Sequence, residues 1–359
     1  STASGTGSRT SRSLAVNLGV EAPKVSRKLC AATLLSIVGI FIAGGVARGI
    51  LSSAAGATVE ADCPEVTEIN FTFNDYLIDD QNPDDYRCKG FPPPPAHCPY
   101  YLMGFKPIVA PEVEHVVHHI IIFATDQPQQ SCPFTCFDMP DATGMDAGWA
   151  VGVGTVTWPQ GVGYKIGGYA QAIQMHYNNY NKRSGLIDKR SGLTMMVQTK
   201  RPETVMTSIN VGLHPRGTMD IPPNETNGTY QVECAPALDG PITVLGYATH
   251  AHQLGKAVVS ELLRRPSADA AFQRIGDVGS TPYYNFNNQK VDLFEEAQFR
   301  TVNPGDMIRL SCSFDSTSRT QWTRSGYGSQ DEMCMTFLYA YPVEHIMDGS
   351  CLVASAQRV

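Results

Sequence analysis

Past about residue 60 the apolar residues fall into short runs with turn formers between them. Strand-like runs occupy Val116–Ala124, Ala170–Tyr177, Leu193–Gln198, Val205–Val211, Ile242–Ala248, Lys256–Leu263, Met307–Phe314 and Met333–Tyr341. They are rich in Val, Ile, Thr and Tyr and are bounded by Gly, Pro, Asn and Asp, the signature of strands rather than helices. No long stretch has helical periodicity and no internal repeat is visible. The pattern predicts an all-β chain of two consecutive jelly-roll or β-sandwich domains. Arg201-Pro202-Glu203 supplies a hinge, dividing the mass into residues 61–202 and 203–359. The acidic stretch Asp79–Asp85 and the run Pro92–Pro95 read as loops.

The first 60 residues follow a different rule. Residues 1–28 are rich in Ser, Gly and Thr and carry Arg9, Arg12, Lys24, Arg27 and Lys28 against Glu21, a disordered composition. Residues 29–51 are apolar apart from Arg48 and reach the length of a single transmembrane helix. The basic excess before them keeps the N-terminus cytoplasmic, giving a type II signal-anchor with the catalytic part in the secretory-pathway lumen or outside the cell. The alternatives are a signal peptide cut within Ser52–Ala57 and an organelle transit peptide. Residues 52–60 form a linker to the β domains.

Composition agrees with export. Ten cysteines, nine of them beyond Leu51 and scattered rather than in CxxC pairs, suit disulfides. Asn70-Phe-Thr, Asn224-Glu-Thr and Asn227-Gly-Thr are glycosylation sequons. Charged residues are only 17% of the chain and its formal net charge is −7, which argues against a nucleic-acid partner.

Candidate chemistry lies in five of the nine histidines. His250 and His252 form His-Ala-His at the end of an apolar run, and alternate strand residues share a face, so both can reach one metal ion. His118 and His119 are adjacent within Val-Val-His-His-Ile-Ile-Ile-Phe. A regular strand would aim them apart, so a shared ion requires a strand end, a bulge or different ring nitrogens. Burying two imidazoles without partners is costly, which favours a metal there. His176, taken alone, suits a hydrogen-bonded core position better than a ligand. His97, His115, His214 and His345 are set aside as non-ligands. Histidine by itself does not choose among zinc, copper, iron and nickel.

Taken together, His118-His119-Ile-Ile-Ile-Phe, Gln174-Met-His176-Tyr, Thr249-His250-Ala-His252-Gln-Leu-Gly255-Lys and Asp331-Glu-Met333-Cys334 resemble the copper type II ascorbate-dependent monooxygenases, the family of dopamine β-monooxygenase and peptidylglycine α-hydroxylating monooxygenase. Gly161-Val-Gly-Tyr-Lys-Ile-Gly-Gly168 is similar to a turn region of that family, and the resemblance runs from about Tyr86 to Cys351. It implies two copper ions per chain, on two β-sandwich domains facing across a solvent-filled cleft. His118, His119 and His176 would hold the electron-transfer copper; His250, His252 and Met333 would hold the oxygen-activating one. Tyr86 and Gln174 match positions near the active-site cleft. Ascorbate would be the reductant, O2 the co-substrate and a C–H bond the target. The pattern also implies disulfides Cys312–Cys334 and Cys234–Cys351. Cys88–Cys136 and Cys98–Cys132 are the simplest further pairs, leaving Cys63 for a bridge between chains and Cys30 as a thiol.

Departures from the family narrow the substrate. The peptide-processing branch has an arginine where this chain has Ala248, and an asparagine and a tyrosine where it has Met335 and Phe337. Without the guanidinium, recognition of a peptide carboxylate is lost, and a small hydrophobic or aromatic substrate is expected instead. Thr125 and Arg190 replace family cysteines. The competing functions are a non-catalytic copper-binding structural glycoprotein of the same fold and a zinc hydrolase, the latter lacking a glutamate base spaced as in His-Glu-x-x-His.

Overall fold

A computed structural model describes residues 63, 67–92, 98–137, 142–168 and 170–359. The tail, the apolar segment 29–51 and the linker expected from the sequence lie outside these residues. Among the described residues there are strands and two short 3-10 turns but no α-helix, and no helix is long and apolar enough to cross a membrane.

All eight strand-like runs form strands, most shifted by a residue or two at their ends. Val205–Val211 is extended most, to Thr218, and two other differences have local causes. Met333–Tyr341 enters the sheet only at Met335. Ahead of it, Cys334 is bonded to Cys312, and the buried Glu332 carboxylate accepts the backbone N–H groups of His252, Leu254 and Met333. Those contacts hold residues 331–334 out of the ladder. The acidic stretch is not wholly a loop either, because Asp84 and Asp85 begin the strand Asp84–Phe91. Asp85 can be buried there since its carboxylate accepts the Tyr76 hydroxyl and pairs with Arg87.

One sheet runs through the molecule. In spatial order it holds Glu68–Thr72, Gly192–Gln198, Tyr101–Ile108, Val162–Lys165, Thr204–Thr218, Met335–Tyr341, Ile242–His250 and Val291–Leu293. The sequence halves meet where Val162–Lys165 lies parallel to the start of Thr204–Thr218, just after Arg201-Pro202-Glu203. A five-stranded sheet built around Asp84–Phe91, Ala170–Asn178 and Val117–Thr125 packs on the first half through Ile120, Ile173 and Met175 against Leu102 and Leu193. A second five-stranded sheet, around Gly255–Arg264 and Met307–Phe314, packs on the other half through Val258, Leu310 and Phe314 against Val211 and Leu338. Each large apolar side chain buried in these cores contributes about 1.5–3 kcal/mol.

Disulfides whose two cysteines are both described join Cys63–Cys98, Cys88–Cys136, Cys234–Cys351 and Cys312–Cys334. The expected Cys98–Cys132 pair is corrected by this arrangement, as is the bridge between chains through Cys63. Cys63 bonds to Cys98 within the chain, and Cys132 is itself disulfide-bonded. Counting cysteines could not distinguish these pairings; the approach of residue 63 to the start of Tyr101–Ile108 does.

Candidate metal centres

The first cluster is built on two neighbouring strands. His176 in Ala170–Asn178 stands opposite His119 in Val117–Thr125, but the next pair is Tyr177 with Val117, so His118 is the extra residue of a β-bulge. Two residues on one strand then face one on the other. Ligand atoms of His118, His119 and His176 all lie within 4.8 Å of one another. The Nδ1 atoms of His176 and His119 are 3.2 Å apart, while His176 Nε2 donates to Asp84 Oδ1 at 2.9 Å. With that proton committed to Asp84, His176 turns a bare lone pair on Nδ1 toward His119. Two nitrogens bound to one ion at about 2 Å in tetrahedral geometry stand about 3.3 Å apart. Neither ring nitrogen of the buried His118 has a hydrogen-bond partner. A metal ion would satisfy one of them, so the residues fit the group that the sequence implies.

The second cluster sits at a strand end. His250 closes Ile242–His250, and His252 follows after a peptide pinned by Tyr284, whose hydroxyl accepts from Ala251 N–H and donates to Ala251 C=O. The His250 and His252 rings are 5.1 Å apart and nearly perpendicular. His250 Nδ1 donates to Gln289 Oε1 at 2.9 Å and His252 Nδ1 donates to the Asp331 carbonyl at 3.1 Å. Both bonds place the proton on Nδ1 and leave Nε2 able to bind a metal. Met333 lies on the same cavity wall as these two histidines.

Burial lowers the pKa of all five imidazoles, that of His252 to about 3. Their lone pairs are therefore free of protons at neutral pH. After burial, the further causes for His118 include His176, His250 and His252, so each cluster lies within the electrostatic reach of the other.

Between the clusters is a cavity of about 440 Å³. His119, Tyr86 and Gln174 line it from one half; His250, His252 and Met333 line it from the other. Its remaining wall is largely apolar, including Ile121, Phe123, Trp149, Ala248, Met335 and Phe337. The cleft expected from the resemblance is crossed by direct contacts. Phe286 stacks on His118 at 4.1 Å and stands 6.1 Å from His252, and the Tyr86 hydroxyl donates to the Tyr327 carbonyl at 2.8 Å. Tyr86 also stacks on His176 at 4.0 Å.

His118, His119 and His176 thus form one group, which reaches the cavity through His119, and His250, His252 and Met333 line the same cavity with Tyr86 and Gln174. Several of their supports were not singled out. Gln289 and Phe286 fall in a polar loop with no repeat or motif to mark them. Asp84 fell in a stretch read as loop; its only signal was a position two residues before Tyr86. Glu332 was inside a quoted motif, but only its burial shows that it clamps three N–H groups. His214, set aside as a non-ligand, is on the cavity wall. His345 instead donates to the Pro241 carbonyl.

An all-β chain with a three-imidazole cluster facing two imidazoles and a thioether defines a metal-binding protein whose donors suit copper. Imidazole accepts either oxidation state of that metal, and the thioether favours the reduced one. Family models for the N-terminal and C-terminal domains of copper type II ascorbate-dependent monooxygenases match residues 69–184 and 206–358. The chain is 27% identical to a tyramine beta-hydroxylase of Caenorhabditis briggsae over 73% of its length and 46% of the relative's. It is 27% identical to the dopamine beta-hydroxylase of Canis lupus familiaris over 68% and 40%. It is 26% identical to DBH-like monooxygenase protein 1 of Gallus gallus over 79% and 48%. The chain thus spans about half the length of these relatives or less. It belongs to the copper type II ascorbate-dependent monooxygenase family.

Proposed function

We propose that this chain hydroxylates a C–H bond of a small hydrophobic or aromatic substrate, using O2 as co-substrate and ascorbate as reductant, with one copper ion at each cluster. The observation that carries this reading is the shared cavity, whose wall holds His250, His252 and Met333 beside an apolar surface formed by Ala248, Met335 and Phe337. His118, His119 and His176 would hold one ion and His250, His252 and Met333 the other. Bound copper supplies one-electron chemistry at the first position and dioxygen activation at the second.

The protein's own part is to orient and to exclude. Gln289 and the Asp331 carbonyl fix the tautomers of His250 and His252, and Asp84 fixes that of His176. Met335 faces His250 across the ladder and Phe337 faces Ala248. A flat apolar substrate resting on that strip has its edge beside the His250–His252–Met333 group. Ala248 offers no cation to a carboxylate, which disfavours a peptide C-terminus. The disulfides, and the exposed asparagines of all three sequons, support a luminal or extracellular location, and the apolar sequence of residues 29–51 supports a membrane anchor before it.

The test is oxygen uptake by the copper-loaded chain with ascorbate across a panel of small arenes and aromatic amines. Uptake should require both copper and substrate. Met333→Ala and His250→Ala should each lower it at least a hundredfold. Two bound coppers without substrate-dependent uptake would instead point to a non-catalytic copper-binding glycoprotein.

A further inference from the structure

Asp84 begins the strand Asp84–Phe91, beside the three-histidine cluster but outside it. Oδ1 of its carboxylate accepts a hydrogen bond from His176 Nε2 at 2.9 Å and from the Ser329 hydroxyl at 3.0 Å. Oδ2 accepts from the Tyr180 hydroxyl at 2.9 Å. Ser329 is 245 residues further along the chain and buried. It belongs to the segment Tyr327–Met333, which ends at the thioether of the second cluster. The same segment is held at Tyr327 by the Tyr86 hydroxyl and by the edge of Phe137, 5.9 Å away. At its far end it is held by Glu332 and by the His252 bond to the Asp331 carbonyl.

We propose that Asp84 is a positioning residue shared by both metal centres: one carboxylate orients His176 in the three-histidine cluster and, through Ser329, anchors the segment that presents Met333 to the other. This goes beyond the functional reading of the two clusters while resting on it. The geometry gives the reason. A carboxylate behind a ligating imidazole raises its basicity and fixes its rotation, and loss of such a partner typically costs ten- to a hundredfold in metal affinity. Here the same oxygen also accepts the hydrogen bond of the Ser329 hydroxyl. A change at residue 329 should therefore be felt at His176, a residue it does not touch. Ordinary support for His176 alone predicts no such effect.

The experiment compares the wild-type chain with Asp84→Asn, Ser329→Ala and Ser329→Thr. Asparagine keeps the size and one acceptor oxygen but removes the charge, and threonine retains the hydroxyl. Two measurements are made. The first is release of each copper to a graded chelator, with the Cu(II) electron paramagnetic resonance spectrum identifying the three-histidine ion. The second is amide hydrogen exchange of Tyr327–Met333 in the metal-free protein. Asp84→Asn should weaken the three-histidine ion about ten- to a hundredfold and speed exchange across Tyr327–Met333 about tenfold. Ser329→Ala should shift the spectrum of the three-histidine ion and speed the same exchange, and Ser329→Thr should restore both. Unchanged exchange in Asp84→Asn, or a three-histidine spectrum indifferent to Ser329→Ala, overturns the proposal. A folded wild-type chain that takes up no copper overturns the functional reading instead, and the exchange measurement still decides whether Asp84 anchors the segment.

Discussion

At the scale of single residues, the donors were legible and their supports were not. His118, His119, His176, His250, His252 and Met333 carry rare chemistry at motif spacing, whereas Gln289 is one glutamine in a polar loop and acts only through a contact made across 39 residues. Gln289→Ala removes the acceptor that fixes the His250 tautomer. Its expected effect is a ten- to hundredfold loss of copper affinity at that cluster, read by chelator competition, with little change in fold by circular dichroism. Asp146 gives a second prediction. It is buried, one carboxylate oxygen accepts from Gly167 N–H and the other has no partner, and burial pushes its pKa up to about 7. The folded chain then holds a proton that the unfolded chain releases near pH 4, so this group's stabilisation is full below pH 4 and is lost as pH rises through about 7. The loss is on the order of a few kcal/mol. Asp146→Asn should flatten the decline in melting temperature over that interval. An unchanged slope would assign the decline to other groups.

At the scale of elements, the runs of apolar residues located every strand that carries a histidine ligand, and the adjacency of His118 and His119 already left a strand end, a bulge or different ring nitrogens. Which of these holds was not readable, because a bulge depends on the partner strand; pairing Tyr177 with Val117 supplies it. The start of the strand at Met335 was also hidden, since it depends on Cys312 and on the placement of Glu332. That junction is tight. Gly212 runs past Cys334 with φ of 148°, and a Cβ there would lie 2.3 Å from the Cys334 carbonyl oxygen. Gly212→Ala should therefore disturb the presentation of Met333 as well as stability. Replacing Cys312 and Cys334 together with alanine opens a loop spanning 22 positions and should cost about 3 kcal/mol, measured by denaturant titration. A loss well below 1 kcal/mol would mean that Glu332 holds the segment unaided.

At the scale of the whole molecule, the sequence indicated two β-sandwich halves but not how closely they are joined. Neighbouring residues on the strands around the second cluster serve different cores. Leu338 and Ala340 face one and Tyr339 the other, and Val244 and Leu245 divide in the same way. With the parallel pairing of Val162–Lys165 and Thr204–Thr218, this predicts one calorimetric unfolding transition for residues 67–359; two resolved transitions would show the cores to be independent. The same joining brings both clusters to a single cavity, which is the basis for reading the chain as a two-copper monooxygenase. The most direct measurement is copper-edge X-ray absorption on the ascorbate-reduced, copper-loaded chain. Nitrogen scatterers together with one sulfur scatterer are expected, with the sulfur lost in Met333→Ala and the nitrogen shell of the three-histidine ion kept. A reduced spectrum without sulfur, or one whose sulfur survives Met333→Ala, would contradict the account.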